Sequence, residues 1–219
     1  IVFEDQAAGS KEIFEHRDGL EAYLKAIIAV GPLRPVHEAP FVLNRDNGLR
    51  LDLALQWTEA TDEVIRSYVN GIPTGSGGTH ENGLRAGLTK AVRNFIDTHN
   101  LTPKGVTLTA DDIREGLVGV LSLFIEEPQF QGQTKDRLNN LEILSGVDSA
   151  VRPPIEHWLN HNISVAEAIV GRIILAARAR EASRAAQQEI TRKSATSSRL
   201  NLPGKLSDCS SSGRDDSEL

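Results

Sequence analysis

Apolar and polar residues alternate most cleanly at Leu49, Leu51, Leu53, Leu55 and Trp57, with Arg50, Asp52, Ala54 and Gln56 between them. A period of two sends successive side chains to opposite faces, so this stretch predicts a strand with one buried face. Residues 63–71 read as its neighbour in the sheet, joined to it by a short turn at 58–62. Residues 118–125 are nearly all apolar, which suits a strand buried on both faces. Residues 2–5 predict a further strand.

Elsewhere the period lengthens to that of a helix. Leu20, Leu24, Ile27 and Ile28 make residues 17–30 helical, and Gly31-Pro32 ends the run. With Thr79 as its N-cap, a second helix gathers Leu84, Leu88, Ala91, Val92, Phe95 and Ile96 on one face and turns Arg85, Lys90 and Arg93 away. Thr109-Ala110-Asp111-Asp112 opens another, its acidic first turn matched to the helix dipole. A short helical stretch surrounds Trp158, which Pro153-Pro154 must either interrupt or start. Ser164-Val165-Ala166-Glu167 has the form of a capping box and predicts a long helix to about Lys193. On that helix Ala179, Ala182, Ala186 and Ile190 form a narrow seam suited to packing on the body, with Arg180, Arg184 and Arg192 opposite. The mixture of strands and helices gives an α+β class.

Composition narrows the classes of protein this can be. With 219 residues, 39% hydrophobic and 25% charged, the chain can form a packed core in one large or two small domains. It has no run of 18 apolar residues to span a membrane and no secretory signal pattern at its start. One cysteine, Cys209, excludes an internal disulfide framework and a cysteine-based zinc site, and suits a cytoplasmic protein. Methionine is absent even at position 1, and the chain opens on Ile1-Val2-Phe3, so a piece of a longer protein is expected. Residues 195–219 turn polar and Ser-rich and read as a linker or the start of another domain.

The net charge of −6 argues at first against a nucleic-acid partner. Its distribution is uneven. Residues 165–199 hold seven Arg and Lys against three Glu, a net of +4, which leaves −10 for the remainder. The arginine face of the long helix is therefore either a solvated face or a surface for phosphates.

Few residues suggest chemistry on their own. Gly75-Ser76-Gly77-Gly78-Thr79 precedes a helix, as phosphate-cradling loops do, but matches neither the P-loop nor G-x-G-x-x-G; a flexible structural loop is the simpler account. Asp111 and Asp112 are adjacent in a first helical turn and do not face one another, which fits capping rather than a metal or an acid–base pair. The six histidines, at positions 16, 37, 80, 99, 157 and 161, show no metal-ligand spacing, and His157 and His161 read as surface residues. No nucleophile elbow is present. Lys135 follows Gln133 and Thr134 in a Gly- and Gln-rich loop after the buried strand. It is either a solvated loop lysine or a cation placed to meet a terminal phosphate.

One set of motifs is more specific. Tyr68-Val69-Asn70, Gly77-Gly78-Thr79-His80, Gly83, Arg85, Asp111-Asp112, Arg114-Glu115-Gly116-Leu117, Pro128-Gln129-Phe130, Gln133-Thr134-Lys135 and Leu202-Pro203-Gly204-Lys205-Leu206-Ser207-Asp208-Cys209 occur in this order. In that order the chain resembles the ATPase subunits of bacterial type IIA topoisomerases, the B subunits of DNA gyrase and of topoisomerase IV, over nearly its whole length. The resemblance implies the transducer domain across 1–194 and a linker with the start of the Toprim domain across 195–219. It implies a mixed sheet backed by helices, a left-handed βαβ crossover and a long helix at the C-terminal end.

The resemblance also implies roles. Lys135 would reach the γ-phosphate of ATP bound chiefly in a preceding nucleotide-binding domain, with Gln133 and Thr134 supporting the loop, while the Gly75–His80 loop stays structural. Mg2+ is expected in the whole enzyme, with no ligands here. Partners would be a second B subunit, the gyrase or topoisomerase IV A subunit, and double-stranded DNA passing Arg180, Arg184 and Arg192; no membrane is implicated. The isolated stretch would be inactive. The alternatives are a stand-alone dimeric module binding nucleic acid or protein, and, more weakly, a small-molecule kinase.

Overall fold

The computed structural model describes residues 2–7, 9–13, 19–30 and 34–196, with side chains as far as 190. It falls into two units, residues 1–177 and 178–219. The first is built on a five-stranded mixed sheet made of β3 (Phe41–Arg45), β4 (Arg50–Trp57), β5 (Val64–Val69), β6 (Ile72–Pro73) and β7 (Leu117–Phe124), in the order β3-β4-β7-β5-β6. Ahead of them, β1 (Val2–Asp5) and β2 (Ser10–Ile13) form a separate antiparallel hairpin.

The expected β4–β5 hairpin is not there. β7 lies between the two, antiparallel to β4 and parallel to β5. The physical reason is burial. β7 is the most apolar strand, and the sheet centre is where both of its faces meet apolar neighbours. The parallel pairing obliges residues 70–116 to cross over the sheet, and they do so through α2 (Thr79–Thr98) and α3 (Ala110–Arg114).

Both faces of β4 are covered, not one. Leu51, Leu53, Leu55 and Trp57 point into the main core with Leu117, Leu121 and Leu123 of β7 and the apolar face of α2. Ala54 points the other way, with Val118 and Val120, under Leu24 and Ile28 of α1 (Gly19–Val30). Gln56, also on that side, is buried and donates to the carbonyl of His37 at 2.6 Å.

The main core is closed by α4 (Leu141–His161) and the first half of α5 (Ile163–Thr196). α2 and α4 approach closely because Gly83 and Gly87 lie one turn apart on α2. A Cβ at Gly83 would stand 2.5 Å from the carbonyl oxygen of Leu144, and one at Gly87 2.6 Å from a methyl of Val151. Pro153-Pro154 neither interrupts nor starts α4; the helix runs through both. Each proline removes a helical donor. The carbonyl of Ala150, which Pro154 leaves without one, receives Nη1 of Arg45 at 3.3 Å instead.

Of three predicted helix starts, one holds and two differ in detail. The N-cap of α2 is Gly78, not Thr79, and no side chain caps it. Thr109 caps α3 in a full capping box with Asp112, whose carboxylate accepts from the Thr109 amide at 2.7 Å. α5 begins at Ile163, one residue before the expected box, and the Asn162 carbonyl accepts from Ala166.

Within the first unit, α5 buries Ala166, Ile169, Val170, Ile173, Ala176 and Ala177. In the second unit Ala179, Ala182, Ala186 and Ile190, the seam expected to pack, are all exposed. The side chain of Arg192, the Gly31-Pro32 stop, the 202–209 motif and Cys209 lie outside the described residues.

Candidate functional site

Gln133, Thr134 and Lys135 occupy the tip of a short antiparallel hairpin, β8 (Phe130–Gln131) and β9 (Arg137–Leu138), where Phe130 pairs with Leu138 and Gln131 with Arg137. All three are exposed. Lys135 makes no hydrogen bond or ion pair with the described residues, and its backbone sits at φ 57, in the left-handed region that side chains rarely adopt. A two-by-two hairpin has too few hydrogen bonds to stand alone. Its position comes from what holds it.

Two mounts hold it. At the base, Asn140 is buried; its Oδ1 accepts from the amide of Gln129 at 2.7 Å and its Nδ2 donates to the carbonyl of Glu127 at 3.2 Å. Along the side runs the turn that precedes α2. The amide of Ser76 donates to the carbonyl of Asp136 at 3.0 Å, and the amide of Leu138 donates to the carbonyl of Gly77 at 3.1 Å. Gly78 bridges Leu138 in parallel register, and a Cβ there would lie 2.4 Å from the Leu138 oxygen. Gly78 also has φ 144, so glycine is required twice over. This segment is therefore not the flexible loop its composition suggests; it is wedged against β9.

Beneath the turn lies a buried polar chain. His80 is fully buried, and its Nε2 lies 3.0 Å from Oγ1 of Thr74. Thr74 Oγ1 lies 2.6 Å from Oγ of Ser67, and Ser67 Oγ donates to Oε1 of Glu81 at 2.6 Å. Arg85 joins Glu81 at 3.1 Å and Glu63 at 3.0 Å. Burial, and next the charge of Arg85, push the His80 imidazole down to about 4, so it is neutral near pH 7. His80 Nδ1 and Thr79 Oγ1 are buried without partners. Of these residues only Thr79, His80 and Arg85 stand out in the sequence, Thr79 as an expected N-cap and none with a role in chemistry. The network joins positions up to 22 residues apart, which no local period reveals.

The other candidates lie apart from the hairpin. Arg180 is partly buried and lies 4.0 Å from Glu181, while Arg184 is exposed, both in the second unit. Arg172, in the first unit, donates from Nη2 to Glu115 and to the carbonyl of Ala60, both at 2.8 Å. His157 and His161 are exposed and stack with ring centroids 3.8 Å apart. Among the described residues, no group of three or more His, Cys, Asp or Glu converges as metal ligands would, and no helix is long and apolar enough to cross a membrane.

Comparison with known proteins gives a consistent result. The family model described as DNA gyrase B matches residues 18–189. The B subunit of DNA topoisomerase 4 from Salmonella typhimurium is 40% identical across 100% of this chain and 34% of its own length. The B subunit of DNA gyrase from Mycolicibacterium smegmatis is 38% identical across 94% of this chain and 30% of its own. The chain thus spans about a third of the length of these curated relatives. Among solved structures, the 43K ATPase domain of Thermus thermophilus gyrase B, in complex with an aminocoumarin, superposes with a TM-score of 0.77 at 30% identity, covering 85% of this chain and 50% of that one. The topoisomerase IV ATP-binding domain of Francisella tularensis, in complex with a small-molecule inhibitor, gives 0.70 at 33% identity, covering 82% of this chain and 48% of that one.

Proposed function

The chain belongs to the DNA gyrase B family, and on that premise we propose that it is the transducer region of a type IIA topoisomerase B subunit, which couples ATP turnover to passage of one DNA duplex through another. Residues 1–194 form the transducer, with a left-handed crossover between β5 and β7, and residues 195–219 lead into a Toprim domain. The subunit works in the cytoplasm as a pair of copies with an A subunit on double-stranded DNA. Among the readings open from sequence, family membership favours this one over a stand-alone interaction module.

The observation that carries the proposal is the placement of Lys135. It is an unpaired, exposed cation at the tip of a hairpin whose base and side are both fixed by hydrogen bonds to the body. Such a lysine can meet a terminal phosphate as a point charge and offset the charge that develops on the phosphoryl oxygens. The nucleotide pocket and the metal ligands belong to the rest of the subunit, and this stretch alone has no ATPase activity. Gln133 and Thr134 flank the lysine and set the loop's shape. Movement of the hairpin with the nucleotide state passes to the body through its two mounts and on to α5, and Arg180, Arg184 and Arg192 face the DNA.

The test is Lys135→Ala in the full-length subunit. Loss of one preorganised cation at a phosphoryl group predicts roughly a 100- to 1,000-fold fall in the kcat of ATP hydrolysis, with ATP binding retained. Near-normal turnover with normal binding would overturn the role.

A further inference from the structure

The buried polar chain under the turn has a direction, and the direction follows from counting protons. Ser67 has one hydroxyl proton and two acceptors in reach, the Thr74 carbonyl at 3.2 Å and the Glu81 carboxylate at 2.6 Å; the shorter, charge-assisted contact to Glu81, which also pairs with Arg85, takes it. The 2.6 Å contact between the Ser67 and Thr74 oxygens needs a proton between them, and the proton of Thr74 must supply it. Thr74 then has none left for His80, so the imidazole must be the donor across the 3.0 Å contact. The four groups thus read as one relay, from His80 Nε2–H to Thr74, from Thr74 to Ser67, and from Ser67 to Glu81. The ring carries its proton on Nε2, and the bare nitrogen is the unpartnered Nδ1. Its depressed basicity leaves Nδ1 bare near pH 7.

We infer that His80 is a positioning residue for Lys135, acting through the relay that fixes the turn from Thr74 to Gly78. The relay pins both ends of that turn, Thr74 at its start and His80 just beyond Gly78. Between them lie Ser76 and Gly77, whose backbone groups hold Asp136 and Leu138 on the lysine's strand. If the Thr74–His80 tie is broken, the turn keeps its glycines but not their aim, and the lysine moves relative to a phosphate. Displacing a catalytic cation by about 1 Å costs on the order of 100-fold in rate. The inference rests on the phosphate role of Lys135 for its effect on turnover, but not for its effect on the mount.

Three measurements test it. Long-range proton–nitrogen correlation NMR on the chain should show His80 protonated at Nε2 and bare at Nδ1; a proton on Nδ1 would overturn the relay. His80→Phe should speed hydrogen exchange at the Leu138 and Ser76 amides at least tenfold, while the amides at the centre of β7 exchange as before; unchanged exchange at Leu138 would overturn the mount. In the full-length subunit, His80→Phe should lower kcat for ATP roughly 10- to 100-fold with KM within about twofold, and His80→Gln, which restores a donor near the Nε2 position, should recover most of the loss. Wild-type kcat for His80→Phe, in a subunit where Lys135→Ala is impaired, would overturn the positioning role. Should Lys135→Ala prove unimpaired, the phosphate reading falls, while the exchange result still decides the mount. Ser67→Ala breaks the same relay with little change of shape and gives the same readouts if His80→Phe does not fold.

Discussion

The amide of Leu138 donates to the carbonyl of Gly77 at 3.1 Å, and beside that bond the next residue, Gly78, has no room for a side chain. Three residues before Leu138 stands Lys135. The contact ties the one exposed, motif-borne lysine of the hairpin to the first turn of the longest helix that crosses over the sheet.

Gly78→Ala should therefore be severe. The new methyl would meet the Leu138 oxygen at 2.4 Å, from a backbone angle of φ 144 that alanine avoids. We expect a loss of about 2–4 kcal/mol by urea denaturation, with the exchange of hairpin amides rising first. A loss below about 0.5 kcal/mol would show that the turn is not wedged.

His80 makes stability depend on pH. The ring has an ordinary value of 6.5 and is held at about 4 when folded. Between those values the unfolded chain binds the proton and the folded one does not, so stability is full above pH 6.5 and falls as the pH drops to 4. One unit is about 1.4 kcal/mol, so this group alone removes about 3 kcal/mol across that window. His37 is depressed by burial too and adds a loss of the same sign. Urea denaturation at pH 7 and pH 4.5 should show a markedly smaller drop for His80→Gln than for the wild type. Equal drops would place the titrating group elsewhere.

Arg45→Met isolates the proline pair. It keeps the aliphatic stem but leaves the Ala150 carbonyl, buried opposite Pro154, without its donor. The expected cost is about 1–2 kcal/mol. Restoring the helical donor with Pro154→Ala in the same chain should recover part of it, so the two changes should not add.

Charge reversal at Arg184, and at Arg180 with it, tests the DNA face. Phosphate binding without base readout predicts weaker affinity for every duplex sequence alike. The slope of log affinity against log salt should become shallower by about one for each phosphate no longer neutralised. A change confined to particular sequences, or none, would count against that surface.

Much of this was legible along the chain. The strand at 50–57, the buried strand at 117–124 and the helix at 79–98 each carry a period strong enough to survive into the fold. The order of strands was not, because a run of alternating residues records which face is buried and not which strand lies beside it. β3 was missed: its five residues after Pro40 hold only Phe41 fully buried, too little for a pattern. Pro153-Pro154 misled because the compensating donor, Arg45, lies more than a hundred residues away. For the site, Gln133-Thr134-Lys135 stood out as a motif, while its mounts did not. Gly77 to Leu138, Asn140 to Gln129 and His80 to Thr74 are contacts made only by the folded chain, and a glycine-rich composition suggests looseness where Gly77 and Gly78 in fact permit close contact.

The central place of β7 carries a consequence for how the molecule is made. β4 and β5 are neighbours in sequence, yet the strand that joins them arrives some fifty residues later. As the chain leaves the ribosome, both must wait with an open edge until residues 117–124 emerge and slide into the gap. An exposed edge is where strands pair with the wrong partner. The early helix α1, which caps one face of β4, and the fast local folding of α2 would shield that interval. Substitutions that slow α2 should thus lower the yield of folded protein more than they lower its final stability, a defect visible in the cell and invisible in the purified product.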